Sequence, residues 1–439
     1  MFLIYASILL VLNQLVNTQN SDFHQEKVLE TITFGSCNKH DKPQLLWDQI
    51  IKQDPNLWIW LGDAVYADTR ILPMIWMPSP LATMKERFDV QKENEGYKKL
   101  KDETPIIGVW DDHDYGNNNG GKSYRNRLQS QNIFLDFLDE PADSIRRKRE
   151  GVYVSYSYGT PGKIVKIILL DVRSHYEGGS SCDILGGEQW QWFKEQLDDP
   201  TASMFFIGTG LQVLSDIPFS EKWMACQKSL DRLIWLTQQH PKVMFLSGDV
   251  HFAEINCINP VATGYPLYEF TSSGLTHSCS ASLLPVEVCE WTLKNVVASK
   301  YRISNVVTEL NFGAIKIDWE KMLVSFQVYG VEGKLSQVDI KLADLQVKRN
   351  PSSCPDVKEQ PNWYWKRVFW SSAVLLVILL AAIALRCTVL ILRWVSMVVL
   401  KDLDMKIKHR LKKLRTQLAK VAPIRNGGGK NDTDKPHQD

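Results

Sequence analysis

The sequence has no surplus of either charge: 51 Lys and Arg stand against 50 Asp and Glu, a formal net charge of +1. Proteins that grip nucleic acid by its phosphates need basic surfaces, so this balance argues against a nucleic-acid-binding domain. There is no internal repeat. No Asn-x-Ser/Thr acceptor precedes the C-terminal apolar segment, because Pro351 spoils Asn350-Pro351-Ser352, so glycosylation gives no address. Long uncharged apolar runs are few. Phe2 to Leu12 has the length of a signal-peptide core, although no basic residue precedes it, and the predicted signal peptide is 1–18. Val368 to Leu385 is the second, and its eighteen residues span a bilayer core.

The second run defines the topology. Trp363, Tyr364 and Trp365 precede it like an interfacial aromatic belt, and residues 401–420 hold eight Lys or Arg against two Asp. A polar, proline-containing linker is expected at 350–364, a transmembrane helix at 365–392 and a basic cytosolic tail at 393–439. This is a single-pass type I membrane protein whose large domain, 19–349, is extracellular or in the lumen of the secretory pathway. In the tail, Ile407, Leu411, Leu414, Leu418 and Val421 form a heptad-like stripe. The stripe suits an anionic leaflet or a short coiled coil, or is incidental to a solvated stop-transfer tail; no partner of the tail is identified. Cysteines are scarce but telling. Eight are present, Cys387 lies in the membrane segment, and seven remain in an oxidising compartment. Seven is odd. One stays free, and Cys37 at a strand end is the best candidate for a thiolate ligand, leaving three disulfides with fifteen possible connectivities.

Within the large domain, strand-like runs at 31–35, 57–62, 105–110, 163–171, 204–208 and 242–247 alternate with helical patterns at 43–52, 128–138, 187–197 and 220–238. Such alternation predicts an α/β fold with a partly parallel sheet. From 253 onward, runs at 253–258, 267–272, 306–318, 322–329 and 335–342 read as a second, more antiparallel sheet packed on the first. Four of the earlier runs end in candidate ligands: Gly35-Ser36-Cys37-Asn38, Gly62-Asp63-Ala64-Val65-Tyr66, Asp111-Asp112-His113-Asp114 and Gly248-Asp249-Val250-His251. Open α/β sheets keep their ligands at the carboxyl ends of strands. Three carboxylates and an imidazole in consecutive positions repel one another unless a cation or solvent neutralises them. The pattern is that of a metal centre.

Ser36-Cys37, Gly62 to Tyr66, Trp110 to Asp114 and Gly248 to His251, in that order, resemble the boxes of the alkaline phosphatase D (PhoD-like) family of the calcineurin-like metallophosphoesterase superfamily. The resemblance covers about residues 30–345. It implies two packed mixed β-sheets flanked by helices, to which this chain adds one C-terminal transmembrane helix. It also implies Fe(III) with Ca2+, other divalent metals being possible, and hydrolysis of phosphate mono- or diesters by a metal-activated hydroxide. On that footing Asp63 bridges the metals, Cys37, Tyr66 and His251 complete the iron-type site, and Asp112 and Asp249 face the harder site, with Asn38 adding an amide oxygen. His113 stabilises the transferring phosphoryl group or protonates the leaving oxygen, and Arg173 meets a phosphate oxygen or an acidic neighbour. The superfamily's usual Asp-x-His is absent at the first strand, and its intermediate histidine has no clear match, His175 being possible.

Two stretches invite other readings. Gly116 to Ser123 matches the P-loop pattern, but the Asp111–Asp114 cluster intervenes between it and its strand, so a Gly/Asn-rich active-site loop is expected instead. Ile71 to Pro80 is apolar without periodicity and follows the Asp63–Tyr66 loop at once. Packing against the domain is the expected role, and a rim for a lipid-like ester the alternative. The expected function is a membrane-anchored PhoD-like alkaline phosphatase or phosphodiesterase. The alternatives are a phospholipase-type phosphodiesterase and a catalytically inactive, metal-stabilised scaffold or receptor.

Overall fold

The computed structural model describes residues 23–72, 75–179, 182–218, 220–259, 264–279, 285–346, 352–355 and 363–421. The expected signal peptide 1–18, most of the linker and the end of the tail lie outside these residues. Two units are distinguished, one ending at Lys366 and one beginning at Arg367.

The first unit is built on two mixed sheets. One has seven strands in the order β1 (Phe23–Gln25), β7 (Val154–Tyr158), β8 (Val165–Leu170), β9 (Met204–Thr209), β10 (Val243–Ser247), β12 (Leu267–Ser272) and β11 (Ala253–Ile258). The other has six, in the order β15 (Gly333–Lys341), β14 (Leu323–Gly330), β13 (Phe312–Asp318), β2 (Thr31–Gly35), β3 (Leu57–Leu61) and β6 (Ile106–Val109). Strands β8, β9, β10 and β12 run parallel, as do β2, β3 and β6. Antiparallel strands extend each set. This is the expected α/β class with two mixed sheets, but the strands after 253 do not form a sheet of their own. β12 is buried along its whole length, so it needs cover on both faces and a partner on both edges. It takes them between β10 and β11. β14 alternates buried and half-buried residues, and β15 is mostly exposed, so they pair outward from β13 on the other sheet.

Strand β3 shows why the layers form. Its five residues are buried, with Trp58 and Trp60 on one face and Leu57, Ile59 and Leu61 on the other. Trp58 and Trp60 meet Trp47 of the helix Trp47–Ile51 at ring centroids 5.5 and 5.9 Å apart. Tyr97 of the helix Glu95–Glu103 and Phe137 of the helix Arg127–Phe137 close that aromatic layer. On the opposite face Leu61 lies against Gly208 of β9, where a Cβ would fall 2.8 Å from its Cδ2. Phe206 of β9 faces Phe326 of β14 at 6.0 Å. The two sheets therefore share one apolar interior.

Three disulfides are present, Cys182–Cys226, Cys257–Cys354 and Cys279–Cys289, with Cys37 free and buried as the odd count requires. A separate two-stranded ribbon, β4 (Thr69–Leu72) with β5 (Ile75–Met77), pairs with neither sheet. Sequence patterning did not reveal it. The second unit consists of the helix Trp363–Val421, whose first residues belong to the first unit. It is long and apolar enough to cross a membrane, and it runs on through the basic segment without a break.

Candidate metal centre

Four strand ends from both sheets converge. β2 leads into Cys37 and Asn38, β3 into Asp63 and Tyr66, β6 into Asp111–Asp114, and β10 into Asp249 and His251. Small residues let the loops approach. A Cβ on Gly62 would lie 2.3 Å from Asp111 Cβ, and one on Gly248 would lie 2.4 Å from the Leu61 carbonyl oxygen. Four of the sequence-predicted ligands, Cys37, Asp63, Asp249 and His251, hold φ values of 59°, 50°, 73° and 62°. Non-glycine residues avoid this left-handed region, and backbone strain of this kind gathers at functional sites.

All the predicted ligand residues arrive in one place. Cys37 Sγ is 3.4 Å from Asp63 Oδ2 and 3.0 Å from Ser273 Oγ. The Tyr66 hydroxyl is 3.1 Å from His251 Nε2. Donor atoms of Asp63, Asp112 and His113 lie within 4.8 Å of one another, and so do those of Asp111, Asp112 and Asp249. Asn38 Nδ2 donates to the Ala64 carbonyl oxygen and Gln91 Oε1, leaving Asn38 Oδ1 buried without a partner. Asp111 Oδ2 is orphaned in the same way. Unpaired buried acceptors are costly unless something positive meets them. Clustered carboxylates, a thiol, a phenol and imidazoles form a donor set that fits metal ions, and the orphaned oxygens suit the harder kind.

The electrostatics agree with that fit. Burial, followed by the neighbouring carboxylates Asp112 and Asp111, pushes Asp63 well above the usual carboxylate range. Burial does the same to Asp249, with Asp111 and Asp112 adding to it. Burial raises Asp111 to about 7 against the pull of Arg173. A cation reverses such shifts by stabilising the charged form. Burial, with His113 and Lys39 nearby, drives His251 down to about 4, so its imidazole is neutral and keeps a lone pair for a ligand. Burial would also lower His113, but Asp112, Asp63 and Asp68 lift it to about 10.

Several participants escaped the sequence patterns. Asp68 Oδ1 is 2.7 Å from His113 Nδ1, and its Oδ2 accepts from the Asn118 amide. His277, on the loop after β12, places Nε2 2.8 Å from the Tyr66 hydroxyl and 3.2 Å from His251 Nε2. A lone Asp or His in a loop carries no periodic signal; only proximity to Tyr66 and His113 marks these residues. Asp114, by contrast, stood among the candidate ligands in the sequence but accepts from the Ala64 and Val65 amides and so clamps the Asp63 loop.

Arg173 sits in an ion-pair network. Its Nε is 2.5 Å from Asp111 Oδ1 and its Nη1 is 2.8 Å from Glu221 Oε2, while Nη2 is buried without a partner. His175 packs instead on Gly186, at the start of the helix Gly186–Leu197. The P-loop-like segment Gly116–Ser123 opens no helix directly. Its Asn119 amide caps Asp112 Oδ2 at 2.7 Å and its Asn118 amide caps Asp68, so these amides serve carboxylates rather than a phosphate.

A family model described as PhoD-like phosphatase matches residues 32–327. No curated protein matches in sequence. Among solved structures, one titled "Structure of PhoD" superposes with a TM-score of 0.55 at 14% identity, covering 76% of this chain and 75% of that one. A second, the GAP50 anchor in the inner membrane complex of Plasmodium, gives 0.46 at 13% identity over 74% of this chain and 90% of that one. At these identities the PhoD structure speaks for the fold alone.

Proposed function

This chain belongs to the PhoD-like phosphatase family, and we propose that it is a membrane-anchored hydrolase of phosphate mono- or diesters. The observation that carries the proposal is the convergence of Cys37, Asn38, Asp63, Tyr66, Asp112, Asp249 and His251 at four strand ends, with Asn38 Oδ1 and Asp111 Oδ2 left unpartnered. In this reading Asp63 would be a ligand on both sides of the centre. Cys37, Tyr66 and His251 form the side suited to iron, which His277 joins through its contacts with Tyr66 and His251. Asp112, Asp249 and Asn38 form the side suited to calcium. Metals held there neutralise phosphate charge and lower the pKa of a water toward neutrality.

The chain's own residues do the rest. Asp68 fixes the His113 ring through Nδ1, leaving Nε2 to meet the ester. His113, protonated, gives a proton to the leaving oxygen as the phosphorus–oxygen bond breaks. Arg173 holds Asp111 in place, and its free Nη2 serves a phosphate oxygen. The backbone amides of the Gly116–Ser123 segment orient Asp112 and Asp68, and that of Asn119 helps keep Asp112 ionised. The topology we infer is type I, with the helix Trp363–Val421 as the anchor. Three disulfides favour an extracellular or lumenal domain, and the basic stretch beyond the apolar run favours a cytosolic tail.

The test uses the full-length protein in detergent. Bound metals are measured beside hydrolysis of p-nitrophenyl phosphate and bis(p-nitrophenyl) phosphate. Iron with calcium is expected, and Asp63→Asn is expected to lose metal together with a factor of about 100 or more in rate. A folded, metal-replete protein inactive on both esters would favour the scaffold.

A further inference from the structure

The β4–β5 ribbon leaves the same loop that carries Asp63 and Tyr66. Ile71, Leu72, Ile75 and Met77 on it are 51–57% exposed, so these four side chains do not take the packing role the sequence suggested, whereas Trp76 and the buried Ser79 of the same stretch do. A two-stranded ribbon is marginal in water, and exposed edges normally carry charges. This ribbon has only Arg70, and that guanidinium turns back over the Trp76 ring at 5.9 Å. Trp76 in turn lies 4.6 Å from the His113 ring and 5.7 Å from the Tyr66 ring. Lys39 Nζ sits 4.9 Å from the Tyr66 ring and 5.5 Å from that of Trp76. An apolar arm thus rises from the centre, with an aromatic step and two cations at its base.

We propose that the ribbon is a lipid-docking element. Ile71, Leu72, Ile75 and Met77 lodge among acyl chains, and the phosphate ester of a membrane lipid passes Trp76 into the centre, met by Lys39 and Arg70. The inference rests on the phosphoesterase reading and names its substrate class. A bilayer suits the ribbon better than a protein partner for two reasons. The chain carries its own helix able to cross a membrane, and the cations complement anionic headgroups. In the reaction one water is consumed. Its oxygen and one of its protons stay with the phosphate product, the phosphorus–oxygen bond to the leaving group breaks, and the leaving oxygen takes a proton from His113 that the water's second proton replaces.

Two readouts on the full-length protein test this. In mixed micelles, hydrolysis of dioleoyl phosphatidic acid and dioleoyl phosphatidylglycerol is compared with that of the two p-nitrophenyl esters. The double variant Leu72→Ser/Ile75→Ser is expected to lose about tenfold or more on the lipid it cleaves and to stay within about twofold on the soluble esters. Equal losses on both, no loss on either, or a wild type that cleaves only soluble esters would overturn the docking role. Separately, a nitroxide is placed at Leu72→Cys in a Cys387→Ala background in phosphatidylglycerol vesicles. Access to oxygen but not to a water-soluble relaxant is expected. A water-exposed label overturns the proposal, as does a label shielded from both, which would mark a protein partner. A lipid-embedded label on a protein inactive toward every ester would remove the phosphoesterase reading while leaving the docking intact.

Discussion

In the proposed mechanism Asp68 sets the geometry of His113, its carboxylate lying 2.7 Å from Nδ1 so that Nε2 is left for the substrate. Partners of this kind usually change activity by about 10–100-fold when removed. Asp68→Asn should therefore lower kcat about that much with KM and bound metal little changed. A variant that instead loses its metal would make Asp68 a support of the centre rather than a positioning residue. The glycine-flanked candidate ligands were legible from sequence because they sit next to unbroken apolar strands. Asp63 and Asp249 each follow a glycine at a strand end, and Cys37 was singled out by the odd number of cysteines together with its own place at a strand end. Asp68 and His277 were not legible. Nothing in their local sequence distinguishes them from loop residues until Tyr66 and His113 are placed beside them.

Among the elements, β12 carries a titratable group away from the centre. Glu269, wholly buried, accepts the amides of Val213 at 2.6 Å and Leu214 at 2.7 Å, and so ties the loop after β9 to the neighbouring strands. Burial lifts its pKa from the usual 4.5 to about 7, despite those amides. Between these values the folded chain keeps a proton that the unfolded chain has lost. The contribution to stability is therefore full below about pH 4 and fades as pH rises toward 7, by up to about 3 kcal/mol. Glu269→Gln cannot titrate, so its urea midpoint should fall less than that of the wild type between pH 5 and 7.5. Parallel pH profiles would rule out Glu269 as a source of the dependence. Elements with continuous apolar runs, such as β3, β8, β9 and β10, were found from sequence within a residue or two. β7 was missed because Val154-Ser155-Tyr156-Ser157-Tyr158 reads as half polar, yet all five residues are buried, with Ser155 donating to Gln196. The β4–β5 ribbon was missed because its register shifts between Arg70 and Leu72, which breaks the alternation that marks a strand.

In the whole molecule, the bond Cys257–Cys354 closes a separation of 97 residues and ties the segment that precedes the helix Trp363–Val421 back onto β11. Loop-closure entropy makes such a link worth about 4.7 kcal/mol. Cys257→Ser/Cys354→Ser should accordingly lower the thermal midpoint of the detergent-solubilised protein by several degrees, and an unchanged midpoint would show that packing alone holds the segment.

The pairing of β2 with β13 has a consequence for how the protein is made. Ile32 lies opposite Ile315, so one of the earliest strands waits for one of the last before its second edge is covered. A chain synthesised from its N-terminus exposes that edge, and the Cys37 end attached to it, until most of the domain has emerged. Contacts this distant in sequence make folding slow and leave an open strand edge vulnerable to the wrong partner meanwhile. On this topology the centre is expected to assemble late, shortly before the helix Trp363–Val421 is translated, so that maturation sets strand closure against aggregation.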